Sequence, residues 1–101
     1  MRMLLFFDLP TISSENLKAY RNFVKNLKKE GFYMIQESVY VKMVLNNAAA
    51  EPVKSKINGF LPPEGNIMIL VITEKQFSNM SILLGKATTD IINNVDRIIT
   101  L

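Results

Sequence analysis

The chain begins with the stretch that decides its fold, Met1-Arg2-Met3-Leu4-Leu5-Phe6-Phe7-Asp8-Leu9-Pro10. A short, almost unbroken apolar run that ends at a turn signal is typical of a buried strand. Pro10 has no backbone N–H to donate, and it disfavours helical geometry at Leu9, so the strand should end close to that point. The stretch therefore predicts a central strand with Asp8 at its carboxyl end.

Asp8 needs an explanation, because aspartate is depleted in strands and its charge is costly to bury without a partner. Two interpretations are open from the residues alone. The carboxylate can cap the following loop, as short polar side chains at strand ends commonly do. It can also bind a hard cation such as Mg²⁺, Mn²⁺ or Ca²⁺, since these ions prefer oxygen ligands.

The composition narrows the chemistry that the chain can perform. Its 101 residues include no cysteine and no histidine, which excludes disulfides, thiolate or imidazole metal sites, and catalysis by either side chain. Any bound metal must therefore be held by oxygen atoms. The net charge of +3 and the pI of about 9.3 modestly favour an anionic partner.

Length and hydrophobicity bound the architecture. We expect one domain spanning residues 1–101, with a core at about 1–79 and a tail at about 80–101. No run reaches ~20 apolar residues, and no small-residue cleavage site follows the opening stretch, so we expect a cytoplasmic protein without a membrane span. Because 49 % of the residues are hydrophobic, a high share for so small a chain, we expect part of the apolar surface to be buried against a second copy.

Hydrophobic periodicity predicts the element order β-α-β-β-α-β. The predicted core elements are strands at residues 3–7, 32–45 (broken into two at 36–38) and 67–73, with helices at residues 15–30 and about 51–58. This order matches the ferredoxin-like α+β fold, and we place the two most apolar strands, the first and the last, in the middle of its sheet. A helical turn at 74–79 and tail strands at 81–84 and 96–101 should follow, with the tail strands exchanged in a homodimer.

The first predicted helix carries two parallel stripes. The apolar stripe consists of Leu17, Tyr20, Val24 and Leu27, at the three-and-four spacing of a buried helix face. The basic stripe consists of Lys18, Arg21, Lys25, Lys28 and Lys29, and it runs for about 16 Å. It is either an ordinary solvated face or a contact for a phosphate backbone, which would relieve the repulsion between its charges.

Two hydroxyl groups are candidates for the surroundings of Asp8. Ser38 and Tyr40 follow the break between the two middle strands, so both could face the same groove. Alternatively, Tyr40 is an aromatic residue of the core or of an interface. A single carboxylate binds Mg²⁺ weakly, and two copies of Asp8 facing each other across a dimer axis would supply a pair.

Several segments together resemble a known family. They are Phe7-Asp8-Leu9-Pro10, Tyr20-Arg21-Asn22-Phe23, Gly31-Phe32, Gln36-Glu37-Ser38-Val39-Tyr40 and Thr73-Glu74-Lys75-Gln76-Phe77, in this order. The chain is similar to the second core CRISPR-associated protein family, in the version found beside type II systems. The similarity covers most of the chain and is weakest after Gly85.

The resemblance implies a ferredoxin-like homodimer that takes part in the acquisition of new CRISPR spacers. It implies that Asp8 is the metal-binding and catalytic residue of an endonuclease of single-stranded RNA or double-stranded DNA that depends on Mg²⁺, with Mn²⁺ as an alternative to Mg²⁺. It also implies that Arg21 contacts nucleic acid, and that the dimer bridges two dimers of the CRISPR-associated integrase and holds the DNA to be inserted. The alternative is a ferredoxin-like regulatory dimer with no nuclease activity.

Overall fold

The computed structural model describes residues 1–85, which form one four-stranded sheet and three helices. The strands are β1 (Arg2–Asp8), β2 (Tyr33–Gln36), β3 (Val39–Met43) and β4 (Asn66–Ile72), and the helices are α1 (Ser14–Lys29), α2 (Asn47–Asn58) and α3 (Glu74–Ser78). The order of the first six elements confirms the ferredoxin-like α+β prediction. The predicted strand at 96–101, and with it the exchange between protomers, lies outside the described residues.

The sheet is antiparallel, with the strand order β2-β3-β1-β4. β1 is central, as its apolar sequence predicts. The prediction that β4 is also central is wrong, because β4 lies at an edge of the described sheet. The strand is nevertheless apolar on both of its faces. Met68 and Leu70 lie on the face of the sheet that bears no long helix, where they are 66 % and 54 % exposed.

The two faces of the sheet have different cores. The inner face, which packs against α1 and α2, carries a core that includes Met3, Leu5, Phe7, Phe23, Leu27, Tyr40 and Ile57. The outer face carries a smaller core of Leu4, Val41 and Phe77, and Phe77 belongs to α3. Alternate residues of β1 therefore contribute to different cores, as the two-residue period of a strand requires.

Capping residues define both ends of α1, which lies within one residue of its predicted bounds of 15–30. Ser13 is the N-cap and forms a capping box with Asn16, which satisfies two backbone donors of the first turn. Gly31 follows the helix with φ +92°, a conformation that favours glycine. Leu17 was predicted on the buried face but is exposed, because the buried contacts of α1 begin one turn later.

The prediction that α2 starts near Glu51 is wrong by one turn. The helix begins at Asn47, because the side chain of Asn46 accepts a hydrogen bond from the Ala49 N–H at 2.8 Å and caps it. Pro52 consequently lies inside the helix, where it removes one backbone hydrogen bond. The carbonyl left without its helical donor is that of Ala48, which is exposed, so water can satisfy it.

The predicted strand at residues 81–84 does not form in the single chain, and its pairing with a second copy stays a prediction. These residues have no regular secondary structure, and Leu83 and Leu84 are each 96 % exposed. A strand forms only where a neighbouring strand supplies its hydrogen bonds, and the sheet described above has none for this segment. Within residues 1–85, none of the helices has the length and apolar character needed to cross a membrane.

Candidate metal site and nucleic-acid interface

Asp8 is the last residue of β1 and is exposed. Its register partner on β4 is Asn66, two residues beyond the last pair that β1 forms with β3, Phe6 with Val39. The alternation along β1 places Asp8 on the outer face, because Phe7 belongs to the inner core. A small cavity of about 120 Å³ lies here, lined by Phe6, Phe7, Asp8, Asn66 and Met68.

Ser38 lies close to the same end of β1. It occupies the turn between β2 and β3 with φ +66°, an uncommon conformation for a residue other than glycine. Its carbonyl accepts a hydrogen bond from the Phe7 N–H at 3.1 Å. The structure therefore brings Ser38 next to the backbone that carries Asp8, through its main chain.

Of the two interpretations of Tyr40, a hydroxyl facing a groove with Asp8 does not agree with the structure. Tyr40 is buried in the inner core, with its ring centroid 5.7 Å from that of Phe7, so it lies on the opposite face of the sheet from Asp8. The alternative, a core aromatic, is confirmed. Burial raises the pKa of Tyr40 above its ordinary value of 10.0, and the nearby Tyr20 raises it further, as expected for a phenol removed from water.

The basic stripe on α1 is continuous and open to solvent. All five of its side chains, Lys18, Arg21, Lys25, Lys28 and Lys29, are exposed. Four of them border a shallow groove of about 560 Å³, whose described lining residues all lie on α1: Tyr20, Arg21, Val24, Lys25, Lys28 and Lys29. Lys18 lies one turn before this groove.

Glu30, the acid that follows the basic stripe, does not neutralise it. Its carboxylate lies 3.6 Å from the ammonium group of Lys56 on α2, and its carbonyl accepts a hydrogen bond from Lys42. Both interactions are made with other elements. The end of α1 therefore keeps its basic character.

The structure does not bring the basic stripe and Asp8 together within one chain. The stripe lies on a helix that covers the inner face, whereas Asp8 is on the outer face. A nucleic acid held along α1 is therefore not, by that contact alone, placed against Asp8. Nucleic-acid binding by α1 and cleavage at Asp8 therefore have to be tested separately.

The donor set at Asp8 suits a weakly bound hard cation. Within the described part of the chain, no group of three or more acidic side chains could hold a metal ion. The Asp8 carboxylate and the Asn66 amide are both oxygen donors, which Mg²⁺ prefers. A bound Mg²⁺ would neutralise phosphate charge and lower the pKa of a water ligand.

A cluster around Arg2 was not found from the sequence. Arg2 is buried on the outer face, where it contacts Glu74 and Phe77 of α3 and the hydroxyl of Tyr33. The hydrogen bond from Arg2, the charge of Arg2 and the N-terminal ammonium group together hold the pKa of Glu74 below its ordinary value of 4.5. The one sequence signal is an arginine inside an apolar strand, which implies a buried partner.

The fold defines a small ferredoxin-like α+β protein with a basic helix on one side of its sheet and an open, partly apolar face on the other. Over residues 1–80 the sequence matches the family described as CRISPR associated protein Cas2. The chain belongs to this family.

Similar proteins agree with that assignment. The chain is 46 % identical to "CRISPR-associated endoribonuclease Cas2" of Ligilactobacillus salivarius (strain UCC118), over all of both chains. It is 46 % identical to the protein of the same name from Streptococcus mutans serotype c (strain ATCC 700610 / UA159), over 100 % of this chain and 93 % of that one. The crystal structure of Streptococcus pyogenes Cas2 at pH 6.5 has the same fold, with a TM-score of 0.63 at 19 % identity, over 82 % of this chain and 99 % of that one.

Proposed function

We propose that this chain acts in CRISPR spacer acquisition as a homodimer that holds the DNA to be inserted and bridges two dimers of the associated integrase. The observation that carries this proposal is the exposed basic stripe on α1. Five cations at a regular spacing on one rigid helix match a phosphate backbone, and their contacts do not depend on base sequence. Such binding suits a protein that must accept spacers of any sequence.

The outer face of the sheet supports a homodimer. Near Arg2 this face is covered by α3, but towards Asp8 it leaves Met68 and Leu70 largely exposed beside the half-buried Phe6. Apolar side chains grouped on one sheet face are commonly buried in an interface. A second copy is the occupant that we propose, because a two-fold contact at this end would also bring the two Asp8 carboxylates towards each other.

A second function, a Mg²⁺-dependent endonuclease, is favoured by Asp8. The relatives described above carry the name endoribonuclease, and RNA is therefore the substrate that we propose to test first, with duplex DNA as the other. Two Asp8 carboxylates across a dimer axis would hold Mg²⁺, or Mn²⁺, as the cofactor. In this function Asp8 is the catalytic residue, and the basic stripe contributes only to binding.

The first experiment tests DNA holding. Replacing Lys18, Arg21 and Lys25 with Glu should abolish retention of a DNA duplex, co-elution with DNA-loaded integrase and spacer uptake in cells. The control replaces Lys54 and Lys75, two lysines off α1, with Glu; Lys56 is kept because it pairs with Glu30 at the end of α1. Unchanged uptake in the α1 variant, or equal loss in both variants, would overturn the proposal.

The second experiment tests cleavage. Asp8→Ala should remove Mg²⁺-dependent cleavage of single-stranded RNA while thermal unfolding and dimer mass are unchanged. Spacer uptake measured with the same variant separates the two functions: retained uptake supports the bridging role, and lost uptake in an intact dimer supports catalysis. Cleavage that survives Asp8→Ala would exclude Asp8 as the catalytic residue.

A further inference from the structure

Asn66 is the residue of β4 that stands directly opposite Asp8 in the antiparallel register. We propose that Asn66 is a second protein ligand of the divalent cation, and this inference rests on the metal role proposed above for Asp8. Asparagine is depleted in strands, so an asparagine at the start of a strand and opposite an aspartate is a candidate for a functional role.

The register fixes the two side chains on one face. Directly opposed residues of an antiparallel pair point to the same side of the sheet, with Cβ atoms about 4.5–5.5 Å apart. Asp8 and Asn66 are both exposed, and both line the 120 Å³ cavity together with Phe6 and Met68 of the outer face. A cation between them can therefore contact one oxygen from each side chain.

The backbone around Asn66 is built to approach Asp8 closely. Gly65 has φ +117°, and a Cβ atom placed on it would lie 2.7 Å from the Asp8 carbonyl oxygen and 2.5 Å from Leu9 Cδ2. Glycine is thus required for the chain to enter β4 in contact with the end of β1. On the other side of β1, the bond from the Phe7 N–H to the Ser38 carbonyl holds the same segment.

An amide is a suitable partner for a single carboxylate. Its carbonyl oxygen is a hard donor for Mg²⁺ or Mn²⁺ and carries no charge. In a dimer with two Asp8 carboxylates near the axis, an uncharged oxygen adds coordination without adding repulsion. Waters would complete the shell, as is usual for Mg²⁺.

The test measures metal binding by the full chain, independently of any cleavage. Mn²⁺ is titrated into the protein, and free Mn²⁺ is followed by electron paramagnetic resonance. Asn66→Leu replaces the amide with a side chain of similar size that has no oxygen to bind the metal, and it should weaken Mn²⁺ binding about tenfold. Asn66→Asp should tighten it, because a second carboxylate is added, and Asp8→Ala should weaken it at least as much as Asn66→Leu.

The outcomes separate this inference from the proposed function. Loss of affinity in Asp8→Ala with wild-type affinity in Asn66→Leu would overturn the role of Asn66 and leave that of Asp8 intact. Unchanged binding in Asp8→Ala, or no binding by the wild type, would overturn both. If Asn66→Leu does not fold, as shown by circular dichroism, Asn66→Ala decides: weaker Mn²⁺ binding supports the ligand role, and wild-type binding overturns it.

Discussion

The guanidinium of Arg2 joins the first strand to α3, because its Nε donates to both carboxylate oxygens of Glu74, at 3.0 and 2.8 Å. The Nη1 of Arg2 donates to the Tyr33 hydroxyl at 2.8 Å, and the guanidinium carbon lies 4.6 Å from the ring centroid of Phe77. Only 3 % of Arg2 is exposed. One buried cation therefore links β1, β2 and α3 on the outer face.

Glu74→Ala should destabilise the fold, because it removes both carboxylate oxygens that accept hydrogen bonds from the Nε of the buried Arg2. Hydrogen bonds to charged groups contribute about 1.5–3 kcal/mol, and since Glu74 is half exposed we expect a loss of about 1–2 kcal/mol in the free energy of unfolding. Urea denaturation followed by circular dichroism measures it. The same substitution at the exposed Glu64 should change stability by less than about 0.5 kcal/mol, and equal effects at both sites would contradict the role of the pair.

The same pair makes stability depend on pH. The pKa of Glu74 is lowered in the folded chain from its ordinary value of 4.5, chiefly by the hydrogen bond from Arg2. A lowered folded-state pKa stabilises the fold above the unfolded value, and this stabilisation is lost as the pH falls through the lower folded value. The melting temperature should therefore fall less steeply below pH 4.5 in Glu74→Gln than in the wild type. Parallel melting curves for the two proteins would contradict this linkage.

Local signals were sufficient for β1 and α1. An apolar run closed by Pro10, and a helix bounded by Ser13 and Gly31, depend on neighbouring residues alone, and the structure confirms them. The start of α2 differs from the prediction because Asn46 caps the helix one turn before Glu51, which leaves Pro52 inside it.

Long-range pairing could not be predicted from the sequence. Arg2 and Glu74 are 72 positions apart, and Asp8 meets Asn66 only because β1 and β4 pair in one register. A shift of one residue would move every side chain of a strand to the other face. For the same reason, the sequence did not determine which face of the sheet Tyr40 occupies. The edge position of β4 depends on the complete strand order.

Gly65→Ala should be more destabilising than Gly85→Ala, although both glycines have positive φ, of +117° and +109°. Both variants incur the cost of a strained backbone, about 1 kcal/mol. Gly65 also lies against the Asp8 carbonyl, whereas nothing lies within 4 Å of a Cβ at Gly85. Equal losses in urea denaturation would show that close packing at the end of β1 contributes nothing.

Tyr40→Phe should leave Mn²⁺ binding and RNA cleavage unchanged, because the hydroxyl lies in the inner core and away from Asp8. In the wild type, absorbance titration should place the Tyr40 transition above its ordinary pKa of 10.0, since burial and Tyr20 both raise the pKa. Tyr40→Phe should remove that transition. A change in RNA cleavage by Tyr40→Phe at unchanged stability would show that the Tyr40 hydroxyl contributes to the site at Asp8.

The salt dependence of DNA binding should report the basic stripe directly. Each phosphate contact on duplex DNA contributes about 0.9 to the slope of log affinity against log salt concentration, because it releases condensed counterions. Arg21 and Lys25 lie side by side along the groove on α1. Arg21→Gln and Lys25→Gln should each reduce the slope by about 0.9, and the double variant by about twice that.

The control for this measurement is Lys54→Gln on α2. Lys54 pairs with Glu51 at 2.9 Å and lies outside the stripe, so its loss changes the net charge without removing a phosphate contact. Fluorescence anisotropy of a labelled duplex, recorded at several salt concentrations, gives each slope. If Arg21→Gln and Lys54→Gln reduce affinity equally and leave the slope unchanged, the attraction comes from the overall charge of +3, and α1 does not form the DNA contact.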